Sequence, residues 1–151
     1  MTVNSATLTT GTVAEAMTPG ILTCLPVTPL RVVAQMMATH RVHAIVVFGN
    51  EDLLLPWGVL SDLDLVGAIE SHAPAGAVAA SPVVTVTPGD SLLQAASLMR
   101  EHSTSHLIVV ADESSPLPIG VLSTLDIARV LATEAAPVSR GTASVCGERS
   151  Q

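Results

Sequence analysis

Two stretches hold the residues best placed to do chemistry. They are Gly58-Val59-Leu60-Ser61-Asp62-Leu63-Asp64 and Gly120-Val121-Leu122-Ser123-Thr124-Leu125-Asp126. Both read Gly-x-x-Ser-x-x-Asp where an apolar strand meets a helix. The opening N–H groups of a helix have no partner inside it and lie at the positive end of its dipole, so such a junction attracts anions such as phosphate. Ser61 and Ser123 add a hydroxyl there. Asp64 and Asp126, one turn further on, can accept two hydrogen bonds from the vicinal hydroxyls of a ribose. Gly58 and Gly120 have no side chain to keep a ligand off the backbone. A second role fits the same letters: Ser-x-x-Asp approximates a capping box, with Asp in place of Glu or Gln. The two roles are compatible, and recurrence after the same glycine adds weight to a shared ligand.

The motif belongs to a longer duplication. Shifted by 62 positions, residues 21–64 lie on 83–126 without a gap, and 16 of the 44 pairs are identical, Thr23/Thr85, Met37/Met99 and His40/His102 among them. Chance at ordinary residue usage gives roughly 3. Each copy predicts strand, helix, strand, strand, helix. A short extended segment (21–25; 83–87) comes first. The helix after it has Thr28 as its cap and Pro29 in its first turn in copy one, and Asp90 as its cap in copy two. Leu30, Val33, Ala34 and Met37 give it an apolar stripe, as do Leu92, Ala95, Ala96 and Met99. An apolar strand (44–48; 107–110), a polar turn and a second strand (57–60; 119–122) lead to a closing helix (62–70; 124–132).

The fold class is therefore α/β (α+β): tandem repeats packed sheet against sheet about a pseudo-twofold axis, with strands apolar enough to be covered. The predicted organisation is a flexible tail over residues 1–11, repeat one over 12–72, repeat two over 73–133, and a second tail over 134–151.

Composition narrows the function. Hydrophobic residues make up 48% and charged residues 13% of 151, which fits a well-buried globular chain. Phe48 and Trp57 are the only aromatics, too few for a platform that stacks single-stranded nucleic acid. The net charge is −7, with six Arg and no Lys, and such a surface repels a polyphosphate backbone. A single nucleotide needs only one local cluster of donors. Cys24 and Cys146 form neither a disulfide framework nor a zinc pattern. No signal peptide is recognisable, and the longest uncharged run, residues 73–89, contains three prolines and would not span a bilayer. A cytoplasmic protein without membrane or nucleic-acid partners is expected.

The segment Thr12-Val13-Ala14-Glu15-Ala16-Met17-Thr18-Pro19, the helices carrying Met37 and Met99, the Val-rich strands and the two Gly-Val-Leu-Ser-x-Leu-Asp stretches together resemble the repeats of the cystathionine-β-synthase (CBS) family, over residues 12–133. Copy two departs from the pattern, with Ala80-Ser81-Pro82 where the Met-Thr-Pro entry would stand. The resemblance implies a two-repeat Bateman module with two related clefts. Many such modules bind AMP, ADP, ATP or S-adenosylmethionine, some bind nothing known, and they usually form a disc-shaped dimer through their helices. It implies a regulatory binding module rather than an enzyme. With no further domain in these 151 residues, its target is expected to be a separate protein.

Carried over by position, Asp64 and Asp126 would hold ribose hydroxyls, with Ser61 and Ser123 beside ribose and phosphate. Thr23 and Thr85 would meet the adenine. The family's clefts mix the repeats, so Thr23 is expected with Ser123 and Asp126, and Thr85 with Ser61 and Asp64. His43 stands where nucleotide-binding members place a phosphate-contacting histidine, and His106 where they often place an arginine. Ala44 and Ser105 occupy the remaining two positions, which leaves each cleft a cation short. A monophosphate or adenosyl ligand is expected over a triphosphate.

Other residues have plainer readings. His40 and His102 sit at helix C-termini, where the dipole favours them, and no spacing points to a metal. The apolar turn 50–55, with Leu53, Leu54 and Leu55, is suited to covering a neighbouring surface. Val32 and Met36 lie off the main stripe, and Leu65, Val66, Ala68 and Ile69 nearly surround the closing helix, which suits burial on two sides and a homodimer. No Gly-rich phosphate loop with lysine and no nucleophile–base motif is present. The competing reading is an interaction module whose clefts stay empty.

Overall fold

The structure, a computed structural model, describes residues 10–49, 56–114 and 117–134. The elements follow in the order α1 (Val13–Ala16), β1 (Thr18–Pro19), β2 (Thr23–Cys24), α2 (Leu30–His40), β3 (Ala44–Phe48), β4 (Pro56–Ser61) and α3 (Asp62–Gly67). The second half continues with α4 (Ala75–Val78), β5 (Thr85–Val86), α5 (Leu92–His102), β6 (His106–Val110), β7 (Pro118–Ser123) and α6 (Thr124–Glu134). The predicted strand, helix, strand, strand, helix order is thus present twice.

Two sheets form, in the orders β2-β3-β4 and β1-β7-β6-β5. In each, the first short strand runs parallel to the middle one, Thr23 opposite Val46 and Thr85 opposite Ile108. The middle strand then pairs antiparallel with the last, Ala44 opposite Ser61 and His106 opposite Ser123. Alternate strand residues face opposite sides, which explains why β3, and β6 after its opening His106, are apolar. Ile45 and Val47 join Val33 and Met37 beneath the first half's helices, and Leu107 and Val109 join Leu92 and Met99 beneath the second's. The intervening Val46, Phe48, Ile108 and Val110 meet one another between the sheets, together with Val59.

Each half is completed by the segment that leads into the other. Val13 is 0% exposed and lies in the second half's core with Leu92, Leu122 and Ile127. Its N–H donates to the Asp90 carbonyl (2.9 Å), and the Ala14 N–H donates to Pro88 (3.0 Å). In the mirror arrangement the Ala75 N–H donates to Thr28 (2.9 Å) and that of Gly76 to Pro26 (2.8 Å), and Ala75 lies in the first half's core. β1 pairs with β7, and Ala80 bridges Val59 in the same way. All these positions are 62 apart, so the duplication extends back to residue 12, and the packing units exchange their leaders across the 12–72 and 73–133 boundary. Gly11, placed in the tail by sequence, accepts from the Leu92 N–H (3.0 Å). Residues 1–9, the rest of the second tail beyond Glu134, and the turn at 50–55 lie outside the described residues.

The helix caps differ from expectation. Pro29, not Thr28, is the N-cap of α2, because the Thr28 hydroxyl is engaged with the Leu25 N–H (3.1 Å). Ser91, not Asp90, caps α5 by accepting from the Gln94 N–H (3.0 Å), while Asp90 accepts from Thr87 (2.9 Å). Both long helices end on a left-handed residue, Arg41 (φ 53°) and Ser103 (φ 51°). α3 stops at Gly67, a weak helix former, whereas α6, with Arg129 at the equivalent position, runs on to Glu134. No helix among the described residues is long and apolar enough to cross a membrane.

Candidate functional site

The end of β4 delivers Ser61, and the end of β7 delivers Ser123, to the first turn of the following helix. Both motifs are complete capping boxes. Ser61 Oγ accepts from the Asp64 N–H (3.1 Å), and Asp64 Oδ2 accepts from the Ser61 N–H (3.0 Å). The Ser123–Asp126 pair repeats this at 3.2 and 2.8 Å. The box engages only Oδ2 of each carboxylate. Asp126, 7% exposed, has Oδ1 3.7 Å from Arg129 Nη1.

The ground beside each box is open. One groove, of about 530 Å³, is lined by Ser61 and Asp64, by the 80–85 stretch ending at Thr85, and by His102, Ser103, Thr104, Ser105 and His106. A narrower one, of about 210 Å³, is lined by Ser123, Asp126, Arg129, Thr18, Gly20, Arg41, His43 and Ala44, and again by His106. The expected mixing of the repeats is seen in full in the wider groove, where Thr85 joins Ser61 and Asp64. In the narrower one, Ser123 and Asp126 come together with His43, but Thr23 is not on the lining.

Two expectations need correction. Gly58 and Gly120 line neither groove. A Cβ on Gly120 would stand 2.6 Å from the Thr18 carbonyl oxygen, and one on Gly58 2.8 Å from that of Ala80. These glycines admit the exchanged leader strands. Nor is the narrower cleft a cation short, although the wider one has no arginine on its lining. The narrower groove is lined by Arg41 and Arg129, two residues missed in the sequence. Arg129 was detectable as the position three after Asp126, on the same helix face, and both replace uncharged residues of the other copy, Ser103 and Gly67.

The histidines have distinct settings. His43 Nδ1 is 2.8 Å from Asp62 Oδ2, and this hydrogen bond holds the Asp62 carboxyl below the usual range. His106 belongs to the walls of both grooves and has Nδ1 2.9 Å from Ser105 Oγ. Burial pushes its pKa down, the charge of Asp62 opposes that, His43 reinforces it, and Asp126 and Asp64 oppose it more weakly. Among the described residues, no three His, Cys, Asp or Glu side chains are grouped to hold a metal ion. A third cavity, of about 580 Å³ and mostly apolar, lies between α2 and α3 and contains none of the motif residues.

The model of the CBS domain matches residues 13–71 and again residues 75–133. The chain belongs to the CBS domain family. Its fold resembles the CBS domain pair of protein MJ0100 in complex with 5′-methylthioadenosine and S-adenosyl-L-methionine, with a TM-score of 0.73 at 15% identity over 82% of this chain and 98% of that one. The CBS domain protein PAE2072 from Pyrobaculum aerophilum, complexed with AMP, is 29% identical with a TM-score of 0.67, covering 81% of this chain and 98% of that one. A curated relative, homoserine O-acetyltransferase of Methanocorpusculum labreanum, is 31% identical over 126 residues. That match takes in 82% of this chain but 25% of the relative, so the CBS chain spans about a quarter of the relative's length.

Proposed function

We propose that this CBS pair is a regulatory module that binds an adenine-containing nucleotide, AMP or an adenosyl compound before ATP, and passes its occupancy to a partner protein. The observation that carries this reading is the pair of Ser-Asp boxes, each facing an open groove with one carboxylate oxygen outside the box. The AMP complex of the 29%-identical Pyrobaculum protein supports the ligand class. In the wider groove, Asp64 takes the ribose hydroxyls, Ser61 stands beside the ribose and Thr85 meets the adenine, while His106 belongs to the walls of both grooves. In the narrower groove Asp126, Ser123 and His43 have the corresponding roles. Thr23, Gly58 and Gly120 are on the lining of neither groove and do not carry the reading. The role is binding rather than catalysis; the likeness to a quarter of an acetyltransferase fits a control module.

Calorimetric titration with AMP, ADP, ATP and S-adenosylmethionine tests the reading. Saturating ligand at about 100 times its Kd should stabilise the fold by about 2.7 kcal/mol through linkage. The Asp64→Asn/Asp126→Asn double variant should give no heat, and unchanged binding in it would remove the site assignment. A second reading, an interaction module with empty clefts, is favoured by the exposed apolar row of Leu63, Val66 and Ile69. It predicts no thermal shift with any adenine compound.

A further inference from the structure

The two grooves share a backbone plan and differ in charge. Four Arg lie among the described residues of this acidic chain, and two of them, Arg41 and Arg129, stand on one groove. They come from different elements, the turn after α2 and the second turn of α6. At the equivalent places beside the wider groove are Ser103 and Gly67. The only permanently charged group on the wider groove is the Asp64 carboxylate.

Resting on the adenosyl-binding reading above, we propose that the grooves select different ligands: the narrower one takes a phosphorylated ligand through Arg41 and Arg129, and the wider one an uncharged or cationic nucleoside. A guanidinium presents several N–H donors that match phosphate oxygens and keeps its charge at any working pH. The Arg129 side chain is 68% exposed and only loosely held by Asp126 at 3.7 Å, so it can turn towards a phosphate without breaking a tight pair. Arg41 is held at the groove by its left-handed cap position (φ 53°), with the Val42 N–H returning to the Met37 carbonyl at 3.1 Å. The volumes agree. About 210 Å³ suits a ribose phosphate end with the base lying outside, whereas about 530 Å³ is in the range that encloses a whole small ligand. Against the bare Asp64 carboxylate, with no guanidinium to offset it, a phosphate dianion would be repelled.

Calorimetry with AMP and with adenosine, on the wild type and two variants, decides this. In Arg41→Ser/Arg129→Ala, AMP affinity should fall at least tenfold while adenosine affinity stays within twofold. In Ser103→Arg/Gly67→Arg, a tight AMP site should appear at the wider groove and raise the stoichiometry. The space permits it, since a Cβ on Gly67 meets nothing within 4 Å. Equal losses for AMP and adenosine, an unchanged AMP affinity in the first variant, or no new site in the second would each overturn the proposal and leave adenosyl binding standing. No heat from either compound with the wild type would instead overturn the adenosyl reading, and this proposal with it.

Discussion

Asp64 and Asp126 each do two things, and the two can be separated by substitution. An Asn keeps an acceptor oxygen for the capping box but loses the charge and the free second acceptor that a ribose diol needs. An Ala loses both. Asp126→Asn should therefore keep the chain's stability within about 0.5 kcal/mol, whereas Asp126→Ala should cost about 1 kcal/mol, the usual worth of a cap. Urea denaturation reads the first property and calorimetry the second, and both variants should lose the ligand. If Asn bound as well as Asp, the carboxylate would be a cap alone. His106 offers a pH test. Its folded pKa lies below the ordinary value, so folding favours the neutral ring. This contribution is fully present above about pH 6.5 and is lost as pH falls from there towards the folded value. A phosphate brought to this wall would raise that pKa again. AMP binding near pH 6 should then take up protons, seen as a binding enthalpy that changes with the ionisation heat of the buffer. Because the AMP phosphate also titrates near pH 6, the ring is read from the difference between wild type and His106→Gln in two buffers of unlike ionisation heat: the variant should take up fewer protons, and identical uptake in the two proteins would place the phosphate elsewhere.

The exchanged leaders make single elements unusually sensitive. Gly120→Ala puts a methyl 2.6 Å from the Thr18 carbonyl, where backbone on both sides must shift, and Gly58→Ala does the same against Ala80 at 2.8 Å. Each should destabilise by about 1–3 kcal/mol, while Gly67→Ala, with nothing within 4 Å, should be neutral or slightly stabilising. Chemical denaturation of the three variants ranks them, and an undisturbed Gly120→Ala would mean that β1 is not seated as described. The strands, the long helices and the sheet-on-sheet plan were legible in the sequence because short apolar runs and period-3.6 apolar stripes recur at a fixed offset of 62. Three things were not. The caps of α2 and α5 went to neighbours because Thr28 and Asp90 were already engaged with backbone N–H groups in the preceding turns. The exchange of leaders is a long-range contact, and a four-residue helix such as Val13–Ala16 carries too little periodicity to announce it. Arg41 and Arg129 were not legible because the duplication carries what the two copies share, whereas the charge difference between the grooves lies in positions where they differ.

At the scale of the whole molecule, the cores account for the strands and for one face of each helix, and a row of apolar side chains is left outside. Leu63, Val66 and Ile69 are 76%, 63% and 78% exposed, three residues apart, on one side of α3 and the turn after it. Leu125, the counterpart of Leu63, and Leu93 are also exposed. Val66 and Ile69 also line the third cavity, with Pro29, Leu30, Ala34 and Leu65, so the row forms one wall of a mostly apolar hollow. Single exposed Leu or Val residues are ordinary on a soluble surface, but a contiguous apolar patch of this kind marks an interface. A second copy of the chain is the occupant we expect, because a twofold contact sets the strip of one copy against the hollow of the other and covers both at once. Val66→Glu and Ile69→Glu place charges in that contact without touching either ligand groove or any buried core residue. Light scattering on a sizing column should show the wild type at about twice the chain mass and the double variant at the monomer mass, with its calorimetric response to AMP retained. A wild type that elutes as a monomer at micromolar concentration would assign the strip to a different protein, and a double variant that remains a dimer would move the contact to another face.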